Sequence, residues 1–416
     1  YDTFCPKLSV RLPRFHYKGY EANISNWRDM GLWIDENLLS GRTELTDATV
    51  EKAKTLVQGV SSNLEKAKII YQFVQENTRY ISVQIGIGGL QPISAIEVDR
   101  VKYGDCKGLS NYTKALLEAV DVISYYVVVQ AGNTKIDFDD DFADLIQGNH
   151  AILAIPHEGQ YYWIDCTSQV HPFGFIGDFT DDRKVLVVKP EGGEIVRTKA
   201  YVNEENLQNT ESSYIVTEDG SIKGEAVIKT RGIQYDNRFY LLSESKEDVI
   251  KHYRNFWSNI NGLNITEYSF ENNKDKILFT ETVKIEASNY ASKNGNDFIL
   301  NVNVFNGNSY VPNRYRNRKL PLRIQRGFLD EDICKIVIPE GFTPGDLPSK
   351  VTEKTKFGTY EMELVKQDMN TLLYSRKLLV LKGDYPKEEY KNYRAFRRLV
   401  AKNDNLKLLL TKQNDE

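Results

Sequence analysis

Apolar residues change their period partway along this 416-residue chain, and that change limits the folds open to it. In the first part they recur at helical spacing. Leu64, Ala67, Tyr71 and Val74 fall on one face, and Leu109, Tyr112, Leu116, Leu117 and Val120 form a second stripe. From about residue 210 short alternating segments take over, at 213–216, 223–230, 276–285, 298–304, 333–338, 358–364 and 371–381. Turn residues such as Asp219-Gly220 separate them, and helices are expected only at 244–259 and 387–401. The pattern predicts an α+β chain of two or three domains.

Three regions follow from it. Residues 1–45 read as an irregular lead-in with one short helix near Trp27–Trp33. Residues 46–200 read as a mixed core domain, and residues 201–416 as a mainly antiparallel β domain with a C-terminal helix. Within the core, Thr46 caps a helix over 47–58. Ser62-Asn63-Leu64-Glu65 is a capping box, in which Ser62 and Glu65 satisfy each other's orphan amides. A strand is expected over 79–84. The next helix opens at Cys106, and a strand follows over 125–130. Residues 150–155 and 161–166 then form a hairpin around Pro156-His157-Glu158-Gly159, and a further strand covers 185–189.

Composition excludes several classes. Net charge is −4, so no general pull toward nucleic acid is expected. The basic run Arg314, Arg316, Arg318, Lys319, Arg323, Arg326 lacks a binding motif and reads as a solvated strand face. No apolar run is long enough to span a bilayer. Cys5, Cys106, Cys166 and Cys334 are too few for a disulfide framework and contain no C-x-x-C pair, so no structural metal and no cofactor are expected. Gly86, Gly88 and Gly89 lack nucleotide-loop spacing. Asp137, Asp139 and Asp141 imitate the start of a calcium loop, but Phe142 and Gly148 stand where its glycine and final glutamate belong. The chain opens on Tyr1-Asp2-Thr3, which reads as a processed form or a piece of a longer protein.

The chemistry-bearing residues are Cys106, His150 and Asp165. In Tyr103-Gly104-Asp105-Cys106-Lys107 a loop ends and a helix begins, so the positive end of the helix dipole faces the sulfur and favours a thiolate. An imidazole alongside would take the thiol proton. A hairpin turn centred between His157 and Glu158 sets His150 directly opposite Asp165, on one face, with the carboxylate in reach of the ring. A one-residue slip would turn Asp165 to the other face. Cys166 alternates away from Asp165 and reads as a packing thiol. His157 reads as solvated, and His171 as a weaker cleft residue.

Gly104-Asp105-Cys106, His150-Ala151 and Trp163-x-Asp165-x-Thr167 resemble the transglutaminase-like core of the papain-like thiol superfamily. The stretch from Arg79-Tyr80 through Gln91-Pro92 to Lys107 is similar to a narrower group. These are large bacterial proteins, often from Bacteroidetes, that carry such a core between β domains and bear an export signal. The resemblance implies N-terminal helices and a nucleophile helix packed on an antiparallel sheet. It implies Cys106 as nucleophile, His150 as base and Asp165 as orienting carboxylate, with Gln91, or else Gln84, as side-chain oxyanion donor. It also implies a protein, peptide or other amide substrate, cell-envelope partners, and a periplasmic or extracellular location. An inactive core serving as a scaffold is the alternative, and a metal held by Cys106, His150 and Asp165 is a third reading. Gly108 departs from the narrower group, which usually has Asp there.

Overall fold

The computed structural model describes residues 8–17, 19–83 and 86–413, which form two compact units, Tyr1–Ala200 and Tyr201–Glu416. The chain is a mixture of helices and mostly antiparallel sheets.

The first unit begins with a short hairpin, β1 (Arg14–Tyr17) and β2 (Tyr20–Asn23), and helix α1 (Trp27–Ile34). Helices α2 (Asp47–Leu56) and α3 (Asn63–Asn77) follow. Thr46 and Ser62 cap them by accepting the amides of Thr49 and Glu65. Strand β3 (Arg79–Tyr80) runs parallel to β4 (Tyr103–Gly104), with α4 (Ala95–Val101) between them. The strand expected over 79–84 stops at Tyr80, and Gln84 lies outside the described residues.

Helix α5 (Cys106–Ala119) packs against one face of a five-stranded antiparallel sheet. Its strands are β5 (Tyr125–Val129), β6 (His150–His157), β7 (Gln160–Ile164), β8 (Lys184–Lys189) and β9 (Gly192–Arg197), in the order β7-β6-β5-β8-β9. Leu153, Ile155 and Ile164 turn toward α3 and α5. Val127, Val129, Ile152, Ala154 and Trp163 turn the other way and pack with Ile176, Val185 and Val187.

Two expectations change. The β6–β7 turn is centred between Glu158 and Gly159, since His157 pairs with Gln160 and Leu153 with Ile164. Glu158 and Gly159 have φ of 50° and 77°, the left-handed values a two-residue hairpin turn needs to match strand twist. His150 and Asp165 are therefore not directly opposed. The register differs by two residues, however, and side chains alternate with period two, so both still belong to the same face.

The second change concerns the lead-in. Ala22, Ile24, Trp27, Met30, Trp33, Ile34, Leu38 and Leu39 are buried in the cluster that contains Cys106 and Leu186. Trp27 and Trp33 donate their indole N–H groups to the carbonyls of Asp139 and Glu21. These residues are part of the packed core. The sequence lacked a long periodic helix here, and the burial comes from several short elements instead.

The second unit is built on an eight-stranded sheet. Its spatial order is Leu263–Asn273, Leu278–Ala287, Ile222–Thr230, Leu207–Val216, Phe328–Val337, Thr371–Val380, Gly358–Lys366 and Val351–Thr355. Only the pair Leu207–Val216 and Phe328–Val337 is parallel. Helices Lys246–Phe256 and Tyr390–Asp404 contribute Val249, Tyr253, Phe396 and Val400 to its core. Most of the basic run lies outside strands. Within it, Arg318 sits 4.1 Å from the Tyr390 ring centre and Arg323 pairs with Asp384.

Helix α1 meets β9 backbone to backbone. A Cβ on Gly31 would lie 2.1 Å from the Gly193 nitrogen, and one on Gly193 would lie 2.2 Å from the Trp27 carbonyl oxygen. Helix propensity alone would favour Gly31→Ala by up to about 1 kcal/mol. Packing should win: we expect Gly31→Ala and Gly193→Ala each to destabilise the unit by about 1–3 kcal/mol, read by thermal melting. An unchanged melting temperature would contradict this contact.

Candidate functional site

Asp105 sets where α5 begins. Its backbone is extended, and its Oδ1 accepts the Gly108 amide at 2.8 Å. The other carboxylate oxygen forms a buried ion pair with Lys107, whose ammonium also donates to the Val83 carbonyl at 3.4 Å. Lys107 is thus turned toward Asp105. A Cβ on Gly108 would stand 3.3 Å from Asp105 Oδ1 and 3.5 Å from both Ile93 and Val98. A side chain at that position would begin beside the Asp105 carboxylate and an apolar wall.

The capped turn delivers Cys106 to one end of the sheet. Ser110, one turn later, donates to the Ala151 carbonyl at 3.2 Å, which ties the helix to the start of β6. His150 is the first residue of β6 and Asp165 the first after β7, so antiparallel pairing brings both to that same end. The His150 Nε2 lies 2.8 Å from Asp165 Oδ2. That leaves Nδ1 as the ring atom for Cys106, with which the imidazole also interacts. The Phe179 ring meets His150 edge-on, with centroids 5.8 Å apart.

Asp165 is held from several sides. Its Oδ1 accepts the Thr167 amide at 2.9 Å and the Thr167 hydroxyl at 2.7 Å. Its carbonyl accepts the Tyr71 hydroxyl at 3.1 Å, and Gln75 donates to the carbonyls of Ser168 and His171 just beyond. Burial by itself would raise the carboxyl, but His150 and Thr167 outweigh it and hold it well below the usual carboxylate range. Burial likewise disfavours the imidazolium, yet the Asp165 charge and the Cys106 sulfur hold His150 up to about 10.

A cavity of about 400 Å³ opens beside these residues, lined by Cys106 and His150 together with Leu38, Leu90, Tyr126 and Val128. Cys106 is only 4% exposed and borders this cavity.

Gln91 is elsewhere engaged. Its amide donates to the Tyr20 hydroxyl at 3.1 Å and the Asn37 carbonyl at 3.4 Å, and its Oε1 accepts from Arg42. It does not line the cavity, so the expected oxyanion donor instead ties the N-terminal segments together. Gln84 lies outside the described residues. Cys166 is buried on the α5 side of the sheet, and burial pushes its thiol up to about 12. His157 is exposed at the end of β6, and His171 packs edge-on against Phe175. Asp137 and Asp140 pair with Arg197 and Lys184. No cluster of three or more His, Cys, Asp or Glu placed to hold a metal occurs among the described residues. None of their helices is long and apolar enough to cross a membrane.

Sequence reasoning passed over two residues here. In the sequence Thr167 is one position of the Trp163-x-Asp165-x-Thr167 motif, and the structure shows it gripping Asp165. Tyr126 is one of 25 tyrosines, and nothing in its neighbours marks it.

Residues 296–410 match the family described as a domain of unknown function, DUF3858. No curated protein sequence matches the chain significantly. Among solved structures, the chain is similar to a Parabacteroides distasonis protein whose description reads "putative protease". The TM-score is 0.53 at 12% sequence identity, covering 94% of this chain and 59% of that one. This likeness concerns the fold, and the chain spans under two thirds of that protein.

The His150–Asp165 pair has a defined pH signature. The raised imidazole stabilises fully below its ordinary value of 6.5, and this is lost as pH rises through about 10. The depressed carboxyl stabilises above its ordinary value of 3.8, and this is lost as pH falls through its lower folded value. We expect Asp165→Asn to cost about 3 kcal/mol near pH 5–6, with the melting gap to wild type narrowing toward pH 10. A gap independent of pH would show that the pair is not ionised.

Proposed function

We propose that this chain is a thiol-dependent amide or peptide hydrolase built on a papain-like, transglutaminase-like core. Cys106 is its nucleophile, His150 its general acid and base, and Asp165 the carboxylate that orients the ring. One observation carries the reading: His150 bonds Asp165 through Nε2 at 2.8 Å while its other nitrogen remains for a thiol at a helix N-terminus beside a cavity. The resemblance of the motifs supports it, as does the description of the structural neighbour.

The chemistry follows from those positions. The thiol gives its proton to His150, and the thiolate attacks the carbonyl carbon of an amide held in the cavity. The tetrahedral intermediate collapses, the C–N bond breaks, and the imidazolium protonates the departing amine. An acyl-thioester remains on Cys106. His150 then takes a proton from water, which attacks the thioester and releases a carboxylic acid and the free thiol. Asp165 keeps the ring in one orientation and stabilises the imidazolium without itself taking the proton. An amine in place of water would make the same intermediate a transferase step, and water is the default acceptor. On the same resemblance, such an enzyme would work in the periplasm or outside the cell, on a protein, peptide or other amide substrate and with cell-envelope partners.

Cys106→Ala should abolish both turnover of an unfolded protein substrate and labelling by iodoacetamide at this site, with melting unchanged. His150→Ala should lower turnover by about 10²–10⁴-fold. Hydrolysis that survives Cys106→Ala would remove the proposal. A labelled thiol without any turnover would favour the inactive scaffold.

A further inference from the structure

The cavity beside Cys106 is lined by five polar side chains, those of Cys106, Lys107, Tyr126, Asn149 and His150. Four of them are occupied by the mechanism or by neighbours. Lys107 pairs with Asp105 and the Val83 carbonyl. Asn149 accepts the Ala131 amide at 2.7 Å and donates to the Ala131 carbonyl at 3.1 Å. His150 is bonded to Asp165. Tyr126 alone among them makes no hydrogen bond within the described residues. Nor is its hydroxyl sealed in protein: among the described residues, the fully enclosed hydroxyls without a partner belong to Ser124, Thr230 and Tyr374.

We propose that the Tyr126 hydroxyl donates a hydrogen bond to the substrate's carbonyl oxygen as that oxygen becomes an anion at Cys106. The inference rests on the acyl-thioester reading above and deepens it. Tyr126 is 3% exposed and belongs to the buried cluster that contains Cys106. It projects, with Val128, from the face of the sheet on which Ala151 of β6 also lies. A buried, uncommitted donor in a cavity that excludes most water is what a developing oxyanion requires. Its partner would be the Cys106 amide, one of the first helical amides with no intrahelical acceptor. Burial, reinforced by negative charge at Cys106 and Asp105, raises the phenol well above its ordinary value, so it stays a proton donor at working pH.

Two reactions of the same sulfur test this. Alkylation by iodoacetamide displaces iodide at carbon and forms no oxyanion. Acetylation by 4-nitrophenyl acetate passes through a tetrahedral oxyanion before the C–O bond breaks and 4-nitrophenolate leaves. Tyr126→Phe removes one oxygen. We expect it to slow the Cys106-dependent acetylation burst by about 10²–10³-fold while alkylation stays within about twofold of wild type. Cys106→Ala supplies the background, and the alkylation rate and melting temperature report an intact site. Unchanged acetylation overturns the inference. An equal fall in both reactions also overturns it, because Tyr126 would then act on the thiol. Wild-type protein that alkylates but forms no acetyl-enzyme removes the acyl-transfer reading, and this inference with it, a failure visible without any Tyr126 variant.

Discussion

The first unit depends on one helix being enclosed on nearly every side. Eleven of the 14 residues of α5 are buried, polar ones included. An enclosed helix cannot leave polar side chains unsatisfied without a cost of roughly 1–3 kcal/mol each, so each partner fixes its rotation and height. Tyr112 bonds Asp99 at 2.6 Å, Asn111 donates to the Arg42 carbonyl at 2.7 Å while its buried Oδ1 finds no partner among the described residues, and Ser110 bonds the Ala151 carbonyl. Thr113 turns back to the Leu109 carbonyl. These bonds anchor the helix to α4, to the segment after α1 and to β6, and so determine where its first residue, Cys106, stands.

The site is assembled from the ends of secondary-structure elements. Cys106 opens a helix, His150 opens a strand, and Asp165 follows one, so none depends on a long loop for its position. The cavity wall also draws on Ile34 and Leu38 from the N-terminal segments. Asp105 has a comparable organising part, since one carboxylate caps the helix and also neutralises Lys107. In the second unit a different buried polar group organises the core. The Arg376 guanidinium is fully buried and binds Asp404 through two nitrogens at 2.8 Å and Asp332 through a third at 2.6 Å. Those bonds link strand Thr371–Val380 to strand Phe328–Val337 and to the end of the last helix. Breaking such a group by removing one member leaves a charge without a partner, so the three residues hold as a set.

Much of the layout was legible where local rules are strong. Helix starts at Thr46, Ser62 and Asp105–Cys106 follow from short side chains that accept amides, and the alternating segments of the second unit match strands such as Ile222–Thr230 and Thr371–Val380. Strands Leu263–Asn273 and Val351–Thr355 carry a weaker signal because they are the sheet's edges, where one side is solvated and apolar alternation fades. Helix α4 spans only seven residues, about two turns, too few for a period to stand out. The hairpin's turn was misplaced because Glu158 gives no local sign of its positive φ, and Pro156-His157-Glu158-Gly159 looks like a four-residue turn. Gln91 illustrates the opposite failure, a residue suited to a role whose hydrogen bonds are taken by partners far along the chain.

By itself, then, the order of residues determined which groups have chemistry to offer and what local element carries each. A thiol follows a capping Asp, and an imidazole and a carboxylate stand on two arms of one hairpin at positions that share a face. These properties depend on neighbours within a few positions. Which nitrogen of His150 faces Asp165, that Thr167 grips the carboxylate, that Gln91 is engaged, and that Tyr126 borders the cavity were decided only by the tertiary structure. Each depends on distances between segments separated by tens of residues, and those distances are set by how the sheet and the enclosed helix pack together.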